Sequence, residues 1–211
     1  MMKIKNFSLF LCFFFYFQAT FSQIKKGSTY ISIKSGYLNM KFFEPKIYGG
    51  LTLDILAWEK VGIHYDLLFG KKYFHMPLAP FGGAALGVII ASSEDSTGEN
   101  RLGLGLLVGA ITAIIPEGIS YNLKLSNSST LSPYVSPLQY ESIGKLVTLN
   151  NNQNASLMYD YAGGGVGLRY HQYLSNNKIR ISPSFEYKIY YSKPFKDGFS
   201  AGISAGLCLN N

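Results

Sequence analysis

His64, Asp66, Arg169, His171, Lys178, Arg180, Glu186 and Lys188 carry the side chains of this chain whose types could do chemistry. Within each segment they recur at even spacing: His64 and Asp66, Arg169 and His171, Lys178 and Arg180, Glu186 and Lys188. Three chemistries use such types. His64 or His171 with Asp66 and Ser204 would form an acid–base and nucleophile set of the kind a lipid-modifying enzyme needs. A metal centre would need histidines at ligand spacing, and no two are so placed. A network of paired charges needs only that all eight face one enclosed space, where each charge offsets its neighbour's desolvation. The network is preferred, because no nucleophile–base signature accompanies the histidines. Neither a cofactor nor a metal is implied, and catalysis is not expected.

Even spacing is the period of a β-strand. The segment "NKIRISPSFEYKIYYSKP" (177–194) sets Ile179, Ile181, Phe185, Tyr187, Ile189 and Tyr191 on one face and Lys178, Arg180, Ser182, Glu186 and Lys188 on the other. Similar alternation occurs at 29–37, 47–56, 61–70, 118–125, 158–173 and 198–209. Segment 131–140 reads as a weaker strand because Pro133 and Pro137 cannot donate to a ladder. Eight strands result. Connections after strands two, four and six are short, and those after one, three, five and seven are mostly longer. Short turns at one rim and long loops at the other mark an up-and-down barrel of the outer-membrane type.

Alternation alone leaves open which face meets water. The polar parity is rich in glycine and mixes Lys, Arg, Asp and Glu, as a narrow, charge-paired lumen requires. Aromatics on the apolar parity (Tyr37, Phe69, Tyr170, Tyr187, Tyr191) fall near strand ends, where a membrane girdle would lie. The reading is therefore an eight-stranded antiparallel transmembrane β-barrel. The alternatives are ten strands, or a soluble lipocalin-like barrel with the apolar face inside.

The leader "MMKIKNFSLFLCFFFYFQATFSQ" predicts a signal peptide over 1–22, with Lys3 and Lys5 ahead of a short apolar run. One domain, 23–211, would remain. Its formal charge falls from +7, by the two leader lysines, to +5. That balance has no basic run, so nucleic acid is not an expected partner. Without Cys12, Cys208 is left alone, so packing and backbone pairing must hold the fold.

The stretches "AGGGVGLRYHQYLSNNKIRISPSFEYKIYY" and "GFSAGISAGLCLNN" resemble the small outer-membrane β-barrels of the OmpA/OmpX-like kind, in their Tyr- and Gly-rich versions. The resemblance covers the mature chain and is architectural. It implies outer-membrane lipid as surroundings. It also implies the barrel-assembly machinery as a partner, which in that group reads a last strand with alternating apolar residues. Ile203, Ala205, Leu207 and Leu209 match this pattern, and Asn211 stands where the group has an aromatic.

Segment 71–117 does not alternate. It holds "FGGAALGVIIAS" and "LGLGLLVGAITAII" around polar "SEDSTGENR", which predicts a helical hairpin between strands three and four, ended by Pro116. As a plain cap it fills its own apolar needs; it could also plug, dock a partner or contact lipid. Lys71, Lys72 and Lys193 at the long-loop rim are placed to meet lipid phosphates. The expected role is structural, or binding and adhesion to an envelope or extracellular partner through the long loops. A secreted carrier of an apolar ligand and a lipid-modifying enzyme are the alternatives.

Overall fold

A computed structural model describes residues 27–41, 43–58, 60–92, 98–148, 154–191 and 197–210. The expected signal peptide, Lys193 and Asn211 lie outside the described residues. The strands are β1 (Thr29–Met40), β2 (Lys46–Ile55), β3 (Val61–Gly70) and β4 (Tyr73–Pro77). Helices α1 (Leu78–Ser92) and α2 (Gly98–Ile114) follow. Then come β5 (Gly118–Tyr121), β6 (Leu123–Ser126), β7 (Ser129–Thr148), β8 (Asn154–Leu174), β9 (Ile179–Tyr190) and β10 (Gly198–Cys208).

All pairings are antiparallel. The sheet closes where β10 runs against β1, from Tyr30 opposite Cys208 to Met40 opposite Gly198. These ten strands make eight staves, because β4, β5 and β6 together form the fourth. Closure removes both sheet edges, so every stave can pair within the wall. β7 and β8 run 20 and 21 residues. They carry regular pairing from Lys145 opposite Leu157 up to Thr148 opposite Asn154, where the sequence suggested loop.

The side chains are inverted relative to a soluble barrel. Ile33 is 71% exposed, Ile203 54% and Phe185 52%, whereas Arg180 and Glu186 are 4% and 5% exposed. The lipocalin alternative required the opposite arrangement. Exposed Tyr37, Phe69, Tyr187 and Tyr191 ring the long-loop rim, and exposed Trp58 and Tyr121 lie towards the other. Staves of 10–12 residues match the length a tilted strand needs to cross a bilayer. Ile203→Lys, near the middle of β10, is therefore expected to lower unfolding free energy in vesicles by about 2–3 kcal/mol. Urea titration of the refolded protein would read the loss, and an unchanged midpoint would place Ile203 outside hydrocarbon.

Inside, the barrel is too narrow for unbroken rows of large residues. A Cβ on Gly165 would overlap the Glu186 carboxylate, and one on Gly36 would overlap the Tyr48 ring. Glycine on the inward parity is thus the space into which charged and aromatic side chains fold. At the long-loop end Leu38, Met40, Phe43, Tyr48, Leu68, Tyr73, Ile143, Tyr161 and Tyr190 form one buried cluster that stoppers the lumen.

The helical hairpin is present, and its root is specific. β4 follows a two-residue turn, Lys71-Lys72, with Lys72 at φ 58°. Pro77 ends β4 where a ladder donor would be needed, and Pro80 sits in the first helical turn, where its missing N–H costs nothing. The hairpin therefore interrupts the fourth stave rather than preceding it. Both helices carry small residues at i, i+4: Gly83 and Gly87 on α1, Gly105 and Gly109 on α2. A Cβ on Gly87 would overlap the Gly105 carbonyl, so glycine sets this close crossing. Leu86, Val88, Ile89, Leu106, Leu107 and Ile111 point outward and are exposed. Neither helix is long and apolar enough to cross a membrane.

Candidate functional site

Below the aromatic stopper the lumen is filled by ionised side chains in two tiers. The upper tier centres on Glu141. Its Oε1 accepts from Tyr73 Oη at 2.9 Å and Lys188 Nζ at 2.5 Å, and lies 3.0 Å from His75 Nδ1. Its Oε2 accepts from the Tyr190 hydroxyl. Lys188 also pairs with Glu186 at 3.5 Å, and Gln139 Nε2 donates to Glu186 Oε1 at 2.7 Å.

The lower tier is a chain of alternating sign. Lys34 Nζ lies 2.5 Å from Asp66 Oδ2, and Arg169 bridges Asp66 at 3.5 Å to Asp54 at 2.9 Å. Arg180 bonds the other Asp54 oxygen. Arg169 and Arg180 lie over the faces of Tyr134 and Tyr30, at 4.4 and 4.5 Å from the ring centroids. Five carboxylates (Asp54, Asp66, Glu117, Glu141, Glu186) face four fixed cations (Lys34, Arg169, Arg180, Lys188). His75 stands between Glu117 and Glu141, 3.0 Å from each. An imidazolium donates from both ring nitrogens, which suits both carboxylates and balances the set.

Of the eight residues singled out from sequence, the structure brings His64, Asp66, Arg169, His171, Arg180, Glu186 and Lys188 into the lumen. Lys178 is not among them. It is exposed in the turn 175–178, because β9 begins one residue later than the alternation suggests. Ser175, Asn176 and Asn177 all take left-handed backbone there, a conformation asparagine tolerates. His64 bonds Ser136 at 2.8 Å and His171 bonds Ser182 at 2.7 Å. The Ser204 hydroxyl donates to the Ser182 carbonyl at 3.4 Å rather than meeting either histidine. Among the described residues no three His, Cys, Asp or Glu side chains are grouped to hold a metal.

Sequence reasoning missed Lys34, Asp54, His75, Glu117, Gln139 and Glu141. For Lys34 and Asp54 the signal was there, since both share the inward parity of recognised strands. For His75 it was the five-residue alternation "YFHMP", overshadowed by the apolar run behind it.

Glu117 occupies the weak point of the wall. On the side of the fourth stave, β3 pairs with β5 over Val61–His64 and with β4 over Leu68–Gly70. Tyr65, Asp66 and Leu67 between them have no strand partner on that side. β7 has the matching gap between Val135 and Gln139, where its register against β8 also shifts. The Glu117 carboxylate spans this hole from the inside. It accepts the Asp66 backbone N–H at 2.7 Å and Gln139 Nε2 at 3.2 Å, and pairs with His75 at 3.0 Å. A side chain thus replaces a missing rung and ties β3, β4 and β7 together. Outside the wall, Tyr65 Oη donates to the Ile114 carbonyl at 3.2 Å, fastening the end of α2 to β3.

Fold and site together define a transmembrane β-barrel with a packed, charge-balanced lumen. No family model matches the sequence, and no curated protein matches it. Similar solved structures are outer-membrane barrels of low identity. The N-terminal barrel of Pseudomonas aeruginosa OprF is 7% identical, with a TM-score of 0.46 over 86% of this chain and 100% of that one. Neisserial surface protein A is 10% identical, with a TM-score of 0.41 over 86% and 94% of the two chains. Ail of Yersinia pestis is 12% identical, with a TM-score of 0.39 over 87% and 98%.

Proposed function

We propose that this protein resides in an outer membrane as a non-catalytic barrel, structural in its wall and binding an envelope or extracellular partner through its long-loop rim. The observation that carries the reading is the inversion of side chains, with apolar residues outward and ten opposed charges inward. The lumen supports a closed structure: a recess of about 20 Å³ beside Asp54, His171 and Arg180 has room for one water molecule. Above it the aromatic cluster occupies the lumen, which argues against a diffusion pore. His171 bonds a serine on neighbouring β9, and His64 reaches Ser136 on β7 across the short β5, which suits register-keeping rather than turnover. The rim, where β7 and β8 extend beyond the Lys71-Lys72 turn, offers the surface for a partner.

The test combines two measurements on the refolded protein. Unheated samples in mild detergent are expected to migrate differently from boiled ones, and planar bilayers containing the protein to show no stepwise conductance. Mature protein soluble without detergent would overturn the membrane reading. Stable conductance steps would overturn the closed lumen.

A further inference from the structure

The helical hairpin departs from the wall at the middle of its height. β3 pairs with β5 over Val61–His64 and with β4 over Leu68–Gly70, so the chain leaves and re-enters at the level of Tyr65–Leu67. Leu67 stands opposite Leu51, and Leu51 opposite Ile33; Leu51 and Ile33 point outward and are exposed. The aromatic rims lie on either side of this row, with Tyr37 and Phe69 at one and Trp58 and Tyr121 at the other. Tyr65 holds the end of α2 at the same height. From that root α1 and α2 pack on each other rather than along the barrel. Their surroundings are therefore those of the wall at mid-height, the hydrocarbon belt of a transmembrane barrel.

The two helices suit that solvent. No charged residue occurs in 78–93 or 102–116, and 78–91 has no polar side chain at all. Val88, Leu104, Leu107, Ile111 and Ile114 are exposed, and a helix apolar on every side belongs in a core or a membrane. Thr112 carries the only hydroxyl in 102–116, and it donates to carbonyls of its own helix, Val108 at 2.8 Å and Gly109 at 3.1 Å. It thus presents no unsatisfied donor to its surroundings, as hydrocarbon demands. We propose that the hairpin is an arm lying within one half of the bilayer and covered by acyl chains, running from the mid-plane at its root to the headgroups at its tip. Half of a ~30 Å hydrocarbon core is ~15 Å. The 15 residues of α1 reach ~22 Å as a helix, too short for a full span and ample for half of one. Covering ~15 Å of depth in that length sets the arm at about 40° to the membrane plane. The slope follows from the connecting sequence, whose Glu94, Asp95, Glu99 and Arg101 hydrocarbon would exclude. The arm gives the protein a grip on lipid beyond its wall, on one side and in one leaflet.

This placement rests on the barrel lying in a bilayer, and the experiment separates the two. In a Trp58→Phe background, Ile111→Trp near the root and Leu104→Trp nearer the tip are made, with Ile203→Trp as a reference on the wall. Val88→Trp repeats the Leu104 reading from α1. Each variant is first checked for the heat-dependent migration shift of a folded barrel. Each is then refolded into phosphatidylcholine vesicles whose acyl chains carry bromine either near the methyl end or near the carbonyl. Ile111→Trp is expected to lose most fluorescence to the deep bromine, as Ile203→Trp does, and Leu104→Trp and Val88→Trp to the shallow one. Quenching of Ile203→Trp alone would put the helices over the barrel mouth or against a second copy, and overturns the arm while leaving the membrane reading intact. The same depth at Ile111 and Leu104 overturns the slope from mid-plane to headgroup. Quenching at no position overturns both readings.

Discussion

Glu141→Ala is expected to lower the unfolding free energy of the vesicle-inserted barrel by about 3–5 kcal/mol, the cost of breaking a buried ion pair by removing one partner. The size follows from what converges on that carboxylate. Tyr73 and His75 of β4 and Lys188 and Tyr190 of β9 all direct polar hydrogens at it. Alanine would leave an ammonium, an imidazole and two hydroxyls without their acceptor in a lumen with little room for water. Lys188 retains Glu186, and Gln139 Oε1 at 3.3 Å, so its charge is not wholly abandoned. Glu141→Gln should cost less, since the amide oxygen still accepts. As a control, Glu44, exposed at the rim and 4.0 Å from the buried Lys46, should contribute within about 0.5 kcal/mol. Urea titration followed by the fluorescence of Trp58, the only tryptophan, would rank the three. A Glu141→Ala loss no larger than that of Glu44→Ala would mean the lumen charges do not bear on stability.

Parity made the wall legible in sequence. β9 and β10 alternate so regularly that their inward and outward faces can be assigned residue by residue, and the rich glycine on one face signals a crowded interior. The lumen was half legible, for a physical reason. Alternation says that a residue points inward but not at what height, and an ion pair depends on height. Arg169 meets Asp54, 115 residues away, because closure and shear bring β8 opposite β2, and shear is not written in any local pattern. Lys178 failed in the opposite way: alternation runs on into a turn, where the side chain is free to leave the wall. The β4 part of the fourth stave was hidden because it is short and cut off from 118–125 by the most apolar stretch of the mature chain. Glu141 lay just past a strand weakened by two prolines, so the regular pairing beyond Pro137 left no early sign.

Glu117→Ala is expected to have the second large effect, about 3–5 kcal/mol on the same scale, because it leaves His75 Nε2 without its carboxylate, Glu141 alone remaining on Nδ1, and removes the acceptor spanning the broken stave. It also makes a local prediction that general destabilisation does not. The Asp66 amide has the Glu117 carboxylate as its acceptor at 2.7 Å, whereas amides of β9 and β10 are held by ladder partners on both sides. Hydrogen exchange at Asp66 should therefore accelerate in Glu117→Ala well beyond the change across β9 and β10, since local opening at the gap no longer breaks a charge-assisted bond. Glu117→Gln should restore most of the Asp66 protection, as its amide oxygen can still accept, but not the stability lost with the His75 pair. If Asp66 exchanges at the native rate in Glu117→Ala, the wall is closed there by something other than this side chain. The split between the two variants follows from Glu117 doing two separable things: completing a ladder from the side, and neutralising the histidine that links it to Glu141.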